Sequence, residues 1–521
     1  MKRDADIVIV GGGSAGCVMA ARLSADPQVS VLLLEAGGAG RNPLIHIPAA
    51  LPELLGNRFA DWDYATAPQP GLGGRSLRWP RGRALGGSSA INAMCYARGD
   101  LSDYDDWGHG WSGAEALHLF KASECHSDGV SQWHGEDGPL HVTRPDWEHP
   151  ATTRFLAAGA QAGHARVADF AAPDRAGVGR FDTTTHRGLR CSAARAFLTP
   201  PVRARPNLTI RTGAQVEKVL FDGTRAAGLQ LADGTVTARR EVILCAGAVN
   251  SPQILMLSGV GPADHLRGHG LSVVLDQPEI GANLQDHLDI CLMMRTRGGS
   301  AIGYAPGLIP AALRAPFDWL RRRSGLLASN LAEGNGFARS DPNLPKPDIQ
   351  FHFLPALGEN HGSTRNWGRT GVSLHACNLY PRSRGTIRLA SADPRAKPVI
   401  DPGYLTDARD LGPMIAGGRM ALEILEAPAF DPIRTGWHQP RERPESDADW
   451  ERFICARAES IYHPVGTAAI GRVTDGEGRV TGLDGLRVVD ASLMPTIVGG
   501  NTNAPVIMMA ERIARRMTAG A

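Results

Sequence analysis

The sequence predicts an α/β protein in which insertions build a second, α+β part. Three observations support this fold class. The chain opens on a short β-branched strand at residues 7–10, which runs into a glycine-rich turn and then a helical pattern. Alternating apolar residues, as at 348–353, recur much later and predict strands of a different sheet. With 521 residues, the chain is also too long for one hydrophobic core.

Three segments share the character of a nucleotide-binding domain, and the segments between them differ from it. We assign residues 1–150, 190–295 and 455–521 to a discontinuous first domain, and residues 151–189 and 296–454 to a second, substrate-binding domain. The strand-like runs at 348–353, 372–375 and 383–389 are predicted to form the sheet of the second domain. In the first run, alternation places Ile349, Phe351 and Phe353 on one face.

Composition excludes several classes of function. The 55 basic and 53 acidic residues leave a net charge of +2, which argues against nucleic acid or an acidic membrane surface as the main partner. The eight cysteines form no CxxC pair, so we expect buried free thiols and no metal site. The first apolar run is too short for a secretory signal, and no stretch approaches the ~20 apolar residues of a membrane span. We therefore expect a cytoplasmic protein without a membrane span.

The glycine-rich turn has the spacing and the context of a dinucleotide site. Gly11, Gly13 and Gly16 follow a buried strand and open a helix. The first permits a tight turn, the second lets the backbone approach a pyrophosphate, and the third lets the helix pack on the strand. A second buried strand ends in Glu35, whose carboxylate suits two ribose hydroxyls and would repel the 2′-phosphate of NADP.

A second loop favours a flavin nucleotide over NAD. Residues 81–92 combine arginines, a double glycine and hydroxyls, and can direct donors along a pyrophosphate and a flavin ring. A chain that binds only NAD has no need of such a loop. Further on, Ser251 is predicted to cap a short helix that starts at Pro252 and closes at Ser258-Gly259.

Taken together and in order, five segments resemble those of the glucose–methanol–choline oxidoreductase family. They are residues 11–16 with Glu35; 81–92; 247–253 continuing to 258–261; 281–287; and 463–467 with 488–492 and 500–505. The resemblance covers nearly the whole chain. It implies FAD as cofactor, a Rossmann-like FAD-binding domain, and a substrate domain built on an antiparallel sheet with helices.

The resemblance also implies which residues contact the cofactor. They are Gly11, Gly13, Ser14, Gly16, Glu35, Arg83, Gly86, Gly87, Ser88, Asn92, Ala93, Val216, Asp490, Ala491, Asn501, Thr502 and Asn503. Within this set, Val216 matches a position near the adenine, and Asp490 with Ala491 matches positions near the pyrophosphate and the ribityl chain.

Two departures from the family pattern bear on the chemistry. Some members bind FAD covalently through a histidine in the double-glycine loop, whereas this chain has Ile91 there. We therefore expect noncovalent FAD. Many members continue the segment after His463 with Cys, a basic residue and Met, whereas this chain reads Ala468-Ala469-Ile470. We expect a more apolar pocket behind the histidine.

The resemblance places His463 as the catalytic base and Asn501 as its polar partner. Removal of a hydride from an alcohol carbon is easier once the hydroxyl proton leaves, and histidine suits that proton transfer near neutral pH. The hydride would pass from the substrate α-carbon to flavin N5. The start of a C-terminal helix at Pro505 would place its positive dipole end beside the reduced, negatively charged flavin. Tyr462 is a candidate wall of the substrate pocket.

Phe351, Phe353 and His352 are further candidates for the substrate pocket, with core packing as the competing interpretation for most of them. We expect a small, primary alcohol, for example an aromatic or furan-like one, to be oxidised to the aldehyde, with oxygen or another electron acceptor. Hydroxynitrile cleavage and light-driven decarboxylation are alternatives on the same fold. The sequence leaves open whether the protein is a monomer or a homodimer.

Overall fold

The computed structural model describes residues 4–358 and 364–519. Most of its strands lie in two large sheets. They are β1 (Asp4–Val10), β2 (Val31–Glu35), β3 (Gly177–Arg180), β4 (Leu208–Thr212), β5 (Val216–Asp222), β6 (Arg225–Leu231), β7 (Gly234–Leu244), β8 (Leu288–Thr296), β9 (Gly334–Ala338), β10 (Ile349–Leu354), β11 (Gly371–Asn378), β12 (Arg434–Gln439), β13 (Glu459–Ser460) and β14 (Leu486–Val488).

The helices surround these sheets. They are α1 (Ser14–Leu23), α2 (Pro43–His46), α3 (Leu51–Leu54), α4 (Leu101–Asp106), α5 (Gly113–Ser123), α6 (Pro150–Gln161), α7 (Ala193–Phe197), α8 (Pro200–Arg203), α9 (Gly247–Leu257), α10 (Ala263–Gly268), α11 (Ile309–Arg322), α12 (Leu411–Glu426), α13 (Asp447–Arg457) and α14 (Asn503–Ala519). Within the described ranges, none of them combines the length and the apolar character needed to cross a bilayer.

Short strand pairs complete the fold. They are Tyr64–Ala65 with Arg78–Trp79, Cys95–Tyr96 with Asp182–Thr183, Glu124–His126 with Leu140–Val142, Thr185–His186 with Leu189–Arg190, Val260–Gly261 with Leu275–Asp276, and Thr386–Arg388 with Val399–Asp401.

The first sheet has the strand order β4-β2-β1-β7-β6-β5, and β14 pairs with the second half of β7. β4, β2, β1, β7 and β14 run parallel, so their carboxyl ends meet at one edge. Apolar runs such as residues 7–10 and 31–34 are buried, as expected for parallel strands covered on both faces. In open α/β sheets, ligands bind outside this carboxyl edge. The predicted fold class, with a Rossmann-like domain, is confirmed.

The second sheet is antiparallel, with the order β12-β8-β11-β10-β9-β3, and β13 pairs with β8. β13, and β8 except for its last residue, lie inside ranges that we assigned from sequence to the first domain. The assigned boundaries therefore do not follow the sheets, because the chain crosses to the second sheet at about residue 287. The predicted strands at 348–353 and 372–375 correspond to β10 and β11.

Two local predictions need correction. The strand at Thr386–Arg388 pairs only with Val399–Asp401 and lies outside the second sheet. Ser251 does not start a helix, because α9 already begins at Gly247. The Ser251 hydroxyl instead accepts a hydrogen bond from the Ala246 N–H and donates one to Asp490. The predicted close of this helix at Ser258-Gly259 is confirmed.

Candidate active site

A cavity of about 700 Å³ lies between the carboxyl edge of the first sheet and one face of the second. Residues after β1, β2, β7 and β14 line one end of it, and side chains of β10 and β11 line the other. The volume falls within the range of about 300–1,000 Å³ typical of small-molecule and cofactor sites. The cavity is therefore large enough for a cofactor or a small molecule, and residues of both sheets line it.

The glycine turn after β1 has the geometry that its spacing predicts. Gly11 has φ +98°, a left-handed conformation that favours glycine. A Cβ on Gly16 would lie 1.9 Å from the carbonyl oxygen of Gly11, so only glycine lets α1 pack this closely. A Cβ on Gly13 would meet protein atoms no nearer than 3.8 Å and would project toward the cavity. The space over Gly13 is therefore open for a ligand, as a pyrophosphate cradle requires.

Glu35 is buried at the end of β2 and lines the cavity. Its Oε2 accepts the Gly12 N–H at 2.8 Å, and its Oε1 accepts the Gly37 N–H at 2.7 Å. A carboxylate has about four acceptor positions, so two remain for the hydroxyls of a ribose. Burial raises the pKa of this carboxyl to about 7, and the two backbone hydrogen bonds oppose that rise.

Most of the residues expected to contact the cofactor line this cavity. They are Gly11, Gly13, Ser14, Glu35, Gly87, Ser88, Asn92, Ala93, Val216, Asp490, Ala491, Asn501, Thr502 and Asn503. Gly16, Arg83 and Gly86 are not among the lining residues. The Gly86 N–H donates to the Gly12 carbonyl at 2.7 Å, which joins the second loop to the glycine turn. The Arg83 guanidinium lies 4.7 Å from the ring centre of Trp62, which does line the cavity.

Two contacts fix the C-terminal segment against the glycine turn and α9. The Ser14 hydroxyl donates to Asn503 Oδ1 at 2.7 Å, so the starts of α1 and α14 lie side by side. Asp490 accepts the Gly247 N–H at 2.8 Å and the Ser492 N–H at 2.8 Å. The loop after β14 is therefore held at the cavity wall by its own carboxylate.

His463 follows β13 and faces the cavity, and its neighbour His287 determines its tautomer. His287 Nε2 lies 2.9 Å from the carbonyl oxygen of Leu379, which can only accept, so this nitrogen carries the proton. Burial lowers the pKa of His287 to about 4, so its Nδ1 keeps a lone pair. His463 Nδ1, 3.0 Å away, must then donate to it. His463 Nε2 is left unprotonated, as a general base requires.

Asn501 meets this unprotonated nitrogen. Its Nδ2 lies 3.3 Å from His463 Nε2, and its Oδ1 accepts from Gln350 Nε2 at 3.2 Å. Gln350, on β10, thereby fixes which side of the Asn501 amide turns toward the histidine. The amide can donate a hydrogen bond to an oxygen in the cavity without acting as a base.

Asp286 holds the backbone that carries His463. It accepts the His463 N–H at 2.7 Å, and the hydroxyls of Ser460 and Tyr404 also donate to it. Burial raises the pKa of Asp286 to about 6. Tyr462, between these anchors, has φ +67°, which is rare for a residue other than glycine and is typical of constrained functional loops. Tyr462 lines the cavity.

The pH dependence of the reaction follows from the burial of His463. Burial and the neighbouring His287, His352 and Arg81 lower its pKa well below 6.5. A lowered pKa means that the imidazole gains its proton only at acidic pH, so the base form persists down through pH 6.5. We expect kcat/KM to stay level between pH 8 and about 6.5 and to fall only below it. A pH profile of kcat/KM that is half lost at or above pH 6.5 would contradict this assignment.

A substitution at His287 tests whether the neighbouring imidazole positions His463. We expect His287→Ala to lower kcat/KM about 10–100-fold, by analogy with the loss of partners that orient metal-bound histidines, while flavin stays bound. His287→Gln is the matched control, since its amide can donate to Leu379 and accept from His463. Only the alanine variant should move the acid limb of the pH profile. Equal losses in both variants would indicate a role in packing alone.

Phe351 and Phe353 do not line the cavity, which corrects the expectation from sequence. Both point to the opposite face of β10, where Phe353 stacks on Phe155 of α6 with ring centres 4.6 Å apart. Strand alternation places His352 and Leu354 on the cavity side instead. The segment at Ala468-Ala469-Ile470 is also buried in the core rather than in the cavity wall.

The fold also groups His126, His134 and Asp182, with ligand-type atoms within 4.8 Å of one another. Their partners explain the cluster as ion pairs. His134 bridges Glu124 and Asp169, Arg98 pairs with Glu124, and Arg144 pairs with Asp182. Asp182 is the one carboxylate of the group, and because Arg144 already neutralises it, a further cation is disfavoured there. The absence of a metal site therefore stays a prediction. All eight cysteines are free thiols.

Comparisons with known proteins identify the family and the fold. Models of the N- and C-terminal parts of GMC oxidoreductases match residues 5–289 and 381–510. The alcohol dehydrogenase [acceptor] of Pseudomonas putida is 46% identical over 524 residues, which span 98% of this chain and 95% of the relative. Among solved structures, pyridoxine 4-oxidase from Mesorbium loti superposes with a TM-score of 0.89 at 34% identity, over 99% of both chains. The R554A variant of Aspergillus oryzae formate oxidase, studied for FAD modification, superposes with a TM-score of 0.91 at 26% identity, over 99% of this chain and 98% of that one.

Proposed function

The chain belongs to the GMC oxidoreductase family and is an FAD-dependent oxidoreductase acting on CH–OH donors, and on this premise we propose that it oxidises a small, primary alcohol to the aldehyde. One observation carries the proposal. The unprotonated Nε2 of His463 lies beside an amide donor, in the same cavity as the dinucleotide cradle.

The residues at the cradle fit FAD. The open space over Gly13, the acceptor positions of Glu35 and the start of α14 suit a pyrophosphate, a ribose and an electron-rich ring, respectively. The middle of the bound FAD would lie along Gly87, Ser88, Asn92 and their neighbours. When bound, FAD supplies the acceptor for the hydride that leaves the alcohol carbon.

The chain's own residues would bind and activate the alcohol. His463 Nε2 takes the hydroxyl proton, and Asn501 Nδ2 donates to the same oxygen and stabilises the charge that develops there. Leu354, Leu357 and Tyr462 supply an apolar wall that favours a small organic group over a charged one.

A substrate panel tests the proposal. Primary, secondary and aromatic alcohols are incubated with the holoenzyme and either oxygen or an artificial acceptor, and the aldehyde or ketone is quantified. We expect primary alcohols to give the highest kcat/KM. Cyanide release from a hydroxynitrile without change in the flavin, or fatty-acid turnover only under blue light, would replace the proposal with one of the alternatives. The panel also decides between oxygen and another acceptor.

Noncovalent binding of FAD is a separate prediction. Ile91 occupies the loop position where some family members carry the linking histidine, and an aliphatic side chain cannot form that bond. We expect acid precipitation of the holoenzyme to release all of its yellow colour into the supernatant. Flavin absorbance that stays with the washed pellet would contradict this prediction. The cytoplasmic location and the state as monomer or homodimer also stay predictions.

A further inference from the structure

Helix α11 turns its apolar side chains toward solvent. Ile309, Leu313, Phe317 and Leu320 are spaced by four, four and three residues and are 56%, 76%, 59% and 64% exposed. On the side of the helix that faces the protein, Ala315 is buried. Trp319 Nε1 donates a hydrogen bond to the Gly188 carbonyl at 2.7 Å. A helix on the surface of a soluble protein has the reverse arrangement.

The aromatic pair Tyr304 and Trp367 extends this exposed apolar surface. Their ring centres lie 5.1 Å apart, and Trp367 is 70% exposed. Of the nine large apolar side chains that are exposed among residues 4–358 and 364–519, these two and the four on α11 make six. Such a concentration of exposed apolar side chains is typical of an interaction surface.

The same helix carries a local excess of positive charge. Between residues 301 and 332 the chain has four arginines and one acid, Asp318, although the whole chain is nearly balanced. Arg314 pairs with Asp318 at 3.2 Å, and the guanidinium of Arg321 lies 5.8 Å from the ring centre of Phe317. Arginines beside an apolar stripe can extend to lipid phosphates while the stripe is buried.

The surface adjoins the mouth of the active-site cavity. Tyr304, and Ala312 on α11, both line the cavity, and Ala312 is itself exposed. Whatever covers the apolar stripe therefore also lies against the cavity entrance.

We propose that α11, with Tyr304 and Trp367, docks the protein flat on an anionic lipid bilayer. The helix has 14 residues and a length of about 21 Å, which suits an element lying in the interface rather than one spanning it. Trp and Tyr are enriched at the level of lipid headgroups. We commit to a lipid surface rather than a second copy because the arginines around the apolar stripe complement anionic headgroups.

Docking would open the cavity toward the bilayer, where amphiphilic alcohols and lipid-soluble electron acceptors concentrate. The docking itself is independent of the proposed alcohol oxidation.

Flotation with vesicles tests the docking. The holoenzyme is mixed with vesicles of equal parts phosphatidylglycerol and phosphatidylcholine, or of phosphatidylcholine alone. We expect binding to the anionic vesicles that weakens at high salt and is about tenfold or more weaker for the double variant Leu313→Glu/Phe317→Glu. Val130→Glu is the matched control, because Val130 is 65% exposed but distant in sequence, and it should bind like the wild type.

Each outcome decides the proposal. Absence of binding to anionic vesicles, or equal binding by the double variant, overturns it. Loss of a dimer in the double variant, seen by light scattering, together with no vesicle binding, assigns the surface to a second copy and also overturns it. Flavin content and turnover of a water-soluble alcohol should be unchanged in all variants. Vesicle binding without any alcohol turnover would refute the proposed function and leave the docking intact.

Discussion

Replacement of His463 by alanine is expected to lower kcat/KM for alcohol oxidation about 10²–10⁴-fold, the range over which a general base contributes. The imidazole is the group in the cavity whose tautomer is fixed with a lone pair outward, through His287 and Leu379. Asn501 remains in the variant, but an amide is not a base, and its Oδ1 already accepts from Gln350. The measurement is steady-state turnover of the best alcohol from the panel.

The His463→Ala variant should keep its yellow colour and its thermal stability, because His463 takes no part in the hydrogen bonds that hold the glycine turn, Glu35 and Ser14. His118→Ala is the control, since His118 lies exposed on α5, and it should behave like the wild type. Turnover of His463→Ala within about threefold of the wild type would remove the histidine from the mechanism.

Gly13→Val is expected to abolish FAD binding without unfolding the protein. Gly13 has φ −81°, so its backbone accepts any side chain, and the added carbons would meet no protein atom nearer than 3.8 Å at Cβ. They would occupy the space where the pyrophosphate is expected to approach. We expect the purified variant to be colourless, and its Tm to lose the increment that bound FAD gives the wild type.

Two further glycine variants show what the effect at Gly13 means. Gly412→Val, on α12, also adds carbons into open space but far from the cradle, and it should stay yellow. Gly16→Val would place its Cβ 1.9 Å from the Gly11 carbonyl and should fail to fold. A Gly13→Val variant with full flavin content would show that the cradle is placed wrongly.

Local patterns in the sequence predicted the parts of the fold that depend on neighbouring residues. Glycine spacing and the pattern of apolar residues alone predicted the turn at Gly11–Gly16, the strands at 348–353 and 372–375, and the C-terminal helix. Most of the cofactor residues that the family resemblance implied then proved to line the cavity.

Features that depend on contacts distant in sequence were missed. Alternation on β10 predicted two faces but could not tell which face meets α6, so Phe351 and Phe353 were assigned to the wrong side. His287 and Asp286 lie in the family segment 281–287, yet their role depends on contacts with His463, which is 176 and 177 residues away in sequence. Gln350 is 151 residues from Asn501, and no sequence pattern singled it out. The near-balanced net charge likewise concealed the basic, apolar surface on α11.

Anaerobic mixing of the holoenzyme with a small primary alcohol tests the central claim most directly. We expect the flavin absorbance near its visible maximum to bleach with the stoichiometric appearance of aldehyde, and the bleaching to be about 10²–10⁴-fold slower in His463→Ala. A flavin that stays oxidised in the wild type across the whole panel of alcohols, or that bleaches equally fast without the imidazole, would contradict it.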